Sequence, residues 1–215
     1  MKIGVTLINI QARNKRIKRI LNDACSIGNT LSRGTGKGAG PGKLIAVFLI
    51  VLSITACSPK YDWRDVQGVD APYTVLMPDK PSRLSREIQL GQQKVTMHMT
   101  AAKIDDVKFA VGAVKMPDAT QAHAALAVIK NMLLKNMAGT ITEEKTTVSN
   151  EGGKLTVNDQ FSVISSASSL CMSGRLVARD VWAFEVLVVG PEQVMKSDDV
   201  GIAVDMFLGS FKPAV

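Results

Sequence analysis

The chain has 215 residues, 46% of them hydrophobic and 21% charged, with a formal net charge of +7. That composition excludes a disordered chain, and the length suits about one domain with an appendage. Residues 1–56 hold nine Lys/Arg against one Asp, net +8, and the remainder holds 17 against 18 Asp/Glu, net −1. A basic patch must lie on the folded part to neutralise phosphates, so nucleic acid is excluded as a partner and the basicity belongs to a leader.

The leader begins with a basic stretch, Arg13 to Arg19, followed by a glycine-rich segment, RGTGKGAGPGK, from Arg33 to Lys43. The segment does not read as a phosphate cradle. In the pattern G-x-x-x-x-G-K-[ST], Lys37 stands where the first glycine is required and Leu44 follows Lys43. The match at Gly34, Gly36 and Ala39 lacks a preceding strand and a βαβ unit. Residues 1–42 are expected to be a long flexible n-region or the product of a mis-assigned start, with Leu31 as an alternative first codon. From Leu44 to Ala56 run thirteen uncharged residues, LIAVFLIVLSITA, with Lys43 just before them. A membrane helix needs about 20 apolar residues, and a run of 10–14 fits the h-region of a secretory signal.

Ile54-Thr55-Ala56-Cys57 at the end of that run resembles the lipobox of bacterial lipoproteins. Small side chains let a signal peptidase reach the backbone, and the thiol is the nucleophile for diacylglyceryl transfer. The resemblance implies lipidation of Cys57, cleavage before it, and acylation of the new amino terminus, palmitate being a typical chain. Two or more acyl chains anchor stably where one does not. Ser58 in the next position is similar to that of outer-membrane-directed lipoproteins. With the leader removed and Cys57 modified, Cys171 is the remaining thiol, so no internal disulfide is expected. The 159 residues left are enough to bury roughly 68–70% of their unfolded surface.

Residues 57–72 contain Pro, Asp, Gly and few aliphatics and read as a tether. Sixteen extended residues span at most roughly 50–60 Å. Its aromatics, Tyr61 and Trp63, suit either the lipid interface or docking on the domain. The globular domain is expected over residues 73–215. Tyr73 to Met77 is a short β-prone run stopped by Pro78 and Pro81, and Arg86 to Leu90 alternates before Gly91. Lys94 to Ala102 alternates clearly, with Val95, Met97, Met99 and Ala101 on one face and Thr96, His98 and Thr100 on the other. A turn at Asp105-Asp106 leads to a strand over Val107 to Val114. The polar face suggests an antiparallel sheet with one side less buried.

Asp118 with Gln121 three residues on reads as a capping box. It opens a helix whose stripe is Leu126, Ile129, Leu133 and Met137, ended by Gly139. Further strands follow over Thr140 to Ser149, Leu155 to Ser165, Arg175 to Arg179 and Val181 to Val189. Gly190-Pro191 breaks the last of them. A final helix, capped near Ser197 or Asp198, carries Val200, Val204, Phe207, Leu208 and Phe211 on one face. The order predicts an α+β fold, two main helices packed on an antiparallel sheet.

A leading Tyr-Thr-Val-Leu-Met-Pro-Asp-Lys-Pro, an Ala-rich mid-chain helix, an Arg-x6-Trp-x-Phe-x-Val strand pair and a closing Phe207-Leu208-Gly209-Ser210-Phe211 resemble the PsbP-like α/β/α sandwich superfamily. Small bacterial envelope lipoproteins share this pattern, including the Cys-Ser-Pro-Lys-Tyr-Asp-Trp start. The resemblance covers most of residues 57–215 and implies a non-enzymatic accessory or binding protein, with no catalytic motif to carry over.

Independent signs of chemistry are few. His98 and His123 fall on a strand and a helix with no second ligand at metal spacing, so no metal and no cofactor is expected. Met97, Met99, Met132, Met137 and Met172 read as core filler. The pairs Asp105-Asp106, Glu143-Glu144 and Asp198-Asp199 fit a turn, a strand exit and a helix start. Cys171 is expected to be a half-buried structural thiol, or, if a histidine approaches it in space, a nucleophile. No catalytic residue is assigned. The expectation is a non-catalytic binding or scaffold module held to the bacterial envelope through a lipid on Cys57. It would sit at the outer membrane, facing the periplasm, with another envelope protein as partner. A chaperone that shields an apolar partner segment is the alternative, and it requires a large exposed apolar groove on the sheet; an enzyme using Cys171 is a further one.

Overall fold

The structure is a computed structural model that describes residues 59–214 apart from 152 and 166. The leader, Ile54, Thr55, Ala56 and Cys57 therefore lie outside the described residues. Seven strands form one antiparallel sheet: β3 (Ser82–Leu90), β4 (Gln93–Ile104), β5 (Val107–Lys115), β6 (Thr140–Glu151), β7 (Lys154–Ser165), β8 (Leu170–Arg179) and β9 (Trp182–Pro191). Their spatial order is β3-β4-β5-β9-β8-β7-β6. Two meanders, one from each half of the chain, thus meet where β5 pairs with β9 through Val111 opposite Val186. Tight turns join neighbours, and Gly91, Asp105 and Asp180 take left-handed backbone there, at φ 62°, 51° and 53°. Asp is among the few side chains that tolerate that region.

Helix α1 (Ala119–Met137) carries the chain from β5 across β9 and β8 to the far edge, where β6 starts. The Asp118 carboxylate accepts from the Gln121 amide at 2.8 Å, and the Gln121 side chain donates back to that carboxylate at 2.7 Å rather than to a backbone group. At the other end the helix closes one residue earlier than Gly139. Ala138 takes left-handed backbone at φ 48°, its N–H and that of Gly139 bonding back to Lys135 and Leu134. Gly139 is kept for a different reason: a Cβ there would lie 2.5 Å from Val163 Cγ1. Ala122, Ala125, Leu126 and Ile129 bury against Phe161, Met172, Leu176, Ala178 and Ala183 on this face of the sheet.

The opposite face is covered by a second sheet and a helix. Strands β1 (Arg64–Gln67), β2 (Tyr73–Met77) and β10 (Lys212–Pro213) pair in the order β1-β2-β10, beside α3 (Asp198–Ser210). A one-turn α2 (Glu192–Met195) precedes α3. Val200, Ala203, Val204, Phe207 and Leu208 of α3 pack with Val75 and Met77 onto Phe109, Val111, Phe184 and Val186. Phe211, just past the helix, meets Phe184 at 5.3 Å and Tyr73 at 5.7 Å between ring centroids. Central strands are therefore covered on both sides, and the polar face expected of β4 is partly buried. Thr100 is accommodated by a bond from the Tyr73 hydroxyl at 2.8 Å.

The stretch expected to be a tether is folded onto this layer from its fourth residue. Lys60 donates to Asp199 at 2.8 Å, the Asp62 N–H donates to Pro78 O at 2.9 Å, and β1 pairs with β2. Tyr61 and Trp63 stack at 5.6 Å and pack against the core. The physical reason is that β2 has an edge, and edge amides are satisfied by whatever chain lies nearby. Only Val66 of β1 is buried, which is why composition alone looked like linker.

Candidate functional site

The register of β3 on β4 sets Ser85 opposite His98. Both side chains project on the face away from α1, as Thr100 does two residues on. The turn between β1 and β2 then delivers Asp70. Ser85 Oγ lies 2.8 Å from His98 Nδ1, and Asp70 Oδ2 lies 3.5 Å from that same nitrogen. A serine, a histidine and a carboxylate in one cluster invite a nucleophilic reading. In a working triad the serine uses one ring nitrogen and the carboxylate orients the other. Here both compete for Nδ1, which either accepts from Ser85 or donates to Asp70, so the ring cannot relay a proton between them. The group is a latch that holds the 68–72 turn against β4.

Beside the latch is a cavity of about 20 Å³ lined by Asp70, Tyr73, Arg83, Ser85, His98 and Thr100, among others. That is room for about one water, against the ~300–1,000 Å³ of small-molecule sites. Its lining mixes these polar side chains with Val69, Ala71 and Met99, and it admits nothing of substrate size.

Cys171 has no histidine near it. It sits at the start of β8, where burial first and Glu192 second push its thiol up, with Lys196 opposing. His98 is three strands away across the sheet and six residues along it, since Ala113, Phe184 and Val177 continue the His98 row. At ~4.8 Å per strand and ~3.3 Å per residue that is about 25 Å. His123 is on α1, beyond the opposite face, and its buried Nε2 has no hydrogen-bond partner among the described residues. Among the described residues no three His, Cys, Asp or Glu side chains are grouped to hold a metal.

One group escaped the sequence reading. Glu185 stands in the middle of β9, opposite Gly112 of β5 and Leu176 of β8, on the face that α1 covers. Its side chain lies over Gly112, where an added Cβ would come within 2.6 Å of Oε1. Burial pushes the carboxyl up to about 7, and the charge of Arg86 on β3 pulls the other way. Arg86 Nε is itself buried without a hydrogen-bond partner among the described residues. The signal in the sequence was the single charge inside WAFEVLVVG; its glycine partner becomes visible only with the strand register.

Two further charged groups tie elements together. Lys130 of α1 donates to Asp159 on β7 at 2.5 Å and to Glu144 on β6 at 2.6 Å. Burial lowers the ammonium's proton affinity, but the two carboxylates outweigh it and hold it above its ordinary value. Arg175 of β8 donates to the carbonyls of Leu208 and Phe211 at 3.0 and 3.2 Å, closing the end of α3.

No protein-family model matches the sequence, and no curated protein matches it. Among solved structures the chain is similar to the solution structure of cyanobacterial PsbP (CyanoP) from Synechocystis sp. PCC 6803. The two are 11% identical, with 75% of this chain and 99% of that one covered and a TM-score of 0.47.

Proposed function

We propose that the chain is a lipid-anchored cell-envelope protein whose α+β domain works as a non-catalytic binding or scaffold module. The observation that carries this reading is a coincidence of boundaries. A compact unit begins at Pro59, two residues beyond the cysteine at which the sequence pattern expects cleavage and acylation. The net positive charge lies upstream of that junction and the near-neutral chain downstream, as expected for a discarded leader. Support for the non-catalytic part comes from the Ser85, His98 and Asp70 geometry, from the isolation of Cys171, and from a cavity of one water's size. The chaperone alternative is weakened by the scatter of exposed large apolar side chains. Val69, Leu84, Val148, Leu155, Ile202 and Met206 fall on a turn, three strands and a helix instead of one groove.

The test is metabolic labelling with a clickable fatty acid in a bacterial host, followed by membrane fractionation. The expected result is a labelled, membrane-bound protein, with label and membrane association both lost in Cys57→Ser. A label that survives this substitution would sink the anchoring claim.

A further inference from the structure

Helix α3 turns two large apolar side chains outward. Ile202 is 65% exposed and Met206 42% exposed, one turn apart on the side opposite Val200, Val204 and Phe207. Asp198 and Asp205 border this stripe on one flank, and Asp199, held by Lys60, borders it on the other. The helix carries three Asp and no Lys or Arg.

What lies against this face follows from where the chain leads. Lys60 rests on the first turn of α3 with a 2.8 Å bond to Asp199, in a segment fixed by the pairing of β1 with β2, and the Tyr61 hydroxyl reaches the same carboxylate at 3.5 Å. Cys57 is three residues before Lys60, and three residues span at most ~11 Å even when fully extended. Adding the lysine side chain, a lipid on Cys57 holds the first turn of α3 within roughly 20 Å of the bilayer surface. A free sixteen-residue tether would have allowed three times that. The exposed apolar pair is thus on the element tied to the anchor, whereas Leu84, Val148 and Leu155 belong to strands of the large sheet and Val69 stands alone on the turn between β1 and β2.

We propose that the outward face of α3 seats on the zwitterionic phospholipid surface that carries the anchor. Ile202 and Met206 enter the headgroup boundary, and Asp198 and Asp205 meet the headgroup ammonium groups. The inference rests on lipidation of Cys57. Charge selects the lipid class: an acidic helix is repelled by the negative potential of anionic lipids, which attracts basic segments instead.

The experiment places a photo-crosslinking residue at position 202, 206 or 148 of the full chain. The acylated protein is then reconstituted in phosphatidylethanolamine–phosphatidylcholine vesicles. Lipid adducts at 202 and 206 are expected to exceed those at 148 at least tenfold and to fall when phosphatidylglycerol replaces a third of the lipid. Equal yields at the three positions, or adducts to protein alone on a chain whose Cys57 is acylated by mass, overturn the proposal in favour of a protein partner or a second copy. A chain without acyl groups refutes the anchor and with it the proposal. On the acylated chain, Met206→Gln should lower the lipid adducts at 202 at least fivefold, and unchanged adducts would count against the proposal.

Discussion

Glu185 makes the stability of the domain depend on pH in a direction opposite to that of most carboxylates. Its carboxyl is raised from 4.5 to about 7 because the charged form is buried over Gly112. The unfolded chain therefore releases this proton before the folded one does. Stability from the neutral acid is complete below pH ~4.5 and is lost as pH rises through ~7. At ~1.4 kcal/mol per unit the loss is about 3 kcal/mol at pH 8, an upper figure for a fully buried group. Glu185→Gln is expected to raise the melting temperature at pH 8 and to leave it unchanged at pH 4, as thermal unfolding across that range will show. Ala138 offers a smaller gain. It holds φ 48° at the end of α1, a region that suits glycine, so Ala138→Gly should add about 0.5–1 kcal/mol in chemical denaturation. Glu185 and Gly139, the residue after Ala138, show where a local reading stops. The charge in WAFEVLVVG and the glycine after the helix were visible, but the neighbour that explains each, Gly112 or Val163, comes from a distant strand.

At the scale of elements, β6 depends on α1. Its twelve residues are exposed at all but Ile141, so it contributes little apolar burial of its own, and the ladder to β7 shifts register between Ile141 and Glu143. Lys130 joins the three elements through Glu144 and the buried Asp159, and the Thr146 hydroxyl completes the group at 3.1 Å. Removing one partner of such a pair strands the other charge, which costs about 3–5 kcal/mol, whereas replacing both is close to neutral. Lys130→Met alone should destabilise strongly, and Lys130→Met with Asp159→Leu should recover most of the loss in urea unfolding. Helix α1 and the β4–β5 hairpin were legible in the sequence because their apolar periods run for many residues. β1 and the first half of β3 were not. RDVQ and SRLS are polar and mostly exposed, and they become strands by pairing with partners that no local pattern reveals. The 85–98–70 cluster was hidden for the same reason, since register and not spacing assembles it.

Over the whole molecule, the two covering layers are joined to the large sheet by a few specific bonds. Arg175 is the clearest, passing from β8 to the carbonyls that end α3, and burial lowers its guanidinium below the ordinary value. Arg175→Met should cost about 2–3 kcal/mol by leaving those carbonyls without a charged donor, with hydrogen exchange rising first over residues 207–213. The surface pair Lys60–Asp199 is more exposed, at 41% and 59% for the two side chains. Lys60→Ala should therefore leave the urea midpoint nearly unchanged.

The placing of β2 has a further consequence, for the order of folding. Its neighbours are β1, a few residues before it, and β10, whose Lys212 pairs with Thr74. The small sheet cannot be completed until the last strand has arrived, and pairing across so long a loop is slow. A chain delivered from its amino end would hold β2 half-paired, its edge open to wrong partners, for the whole of its delivery. In that interval, truncation before Phe211 or a chaperone's grip on the open edge of β2 would decide whether the protein closes or aggregates.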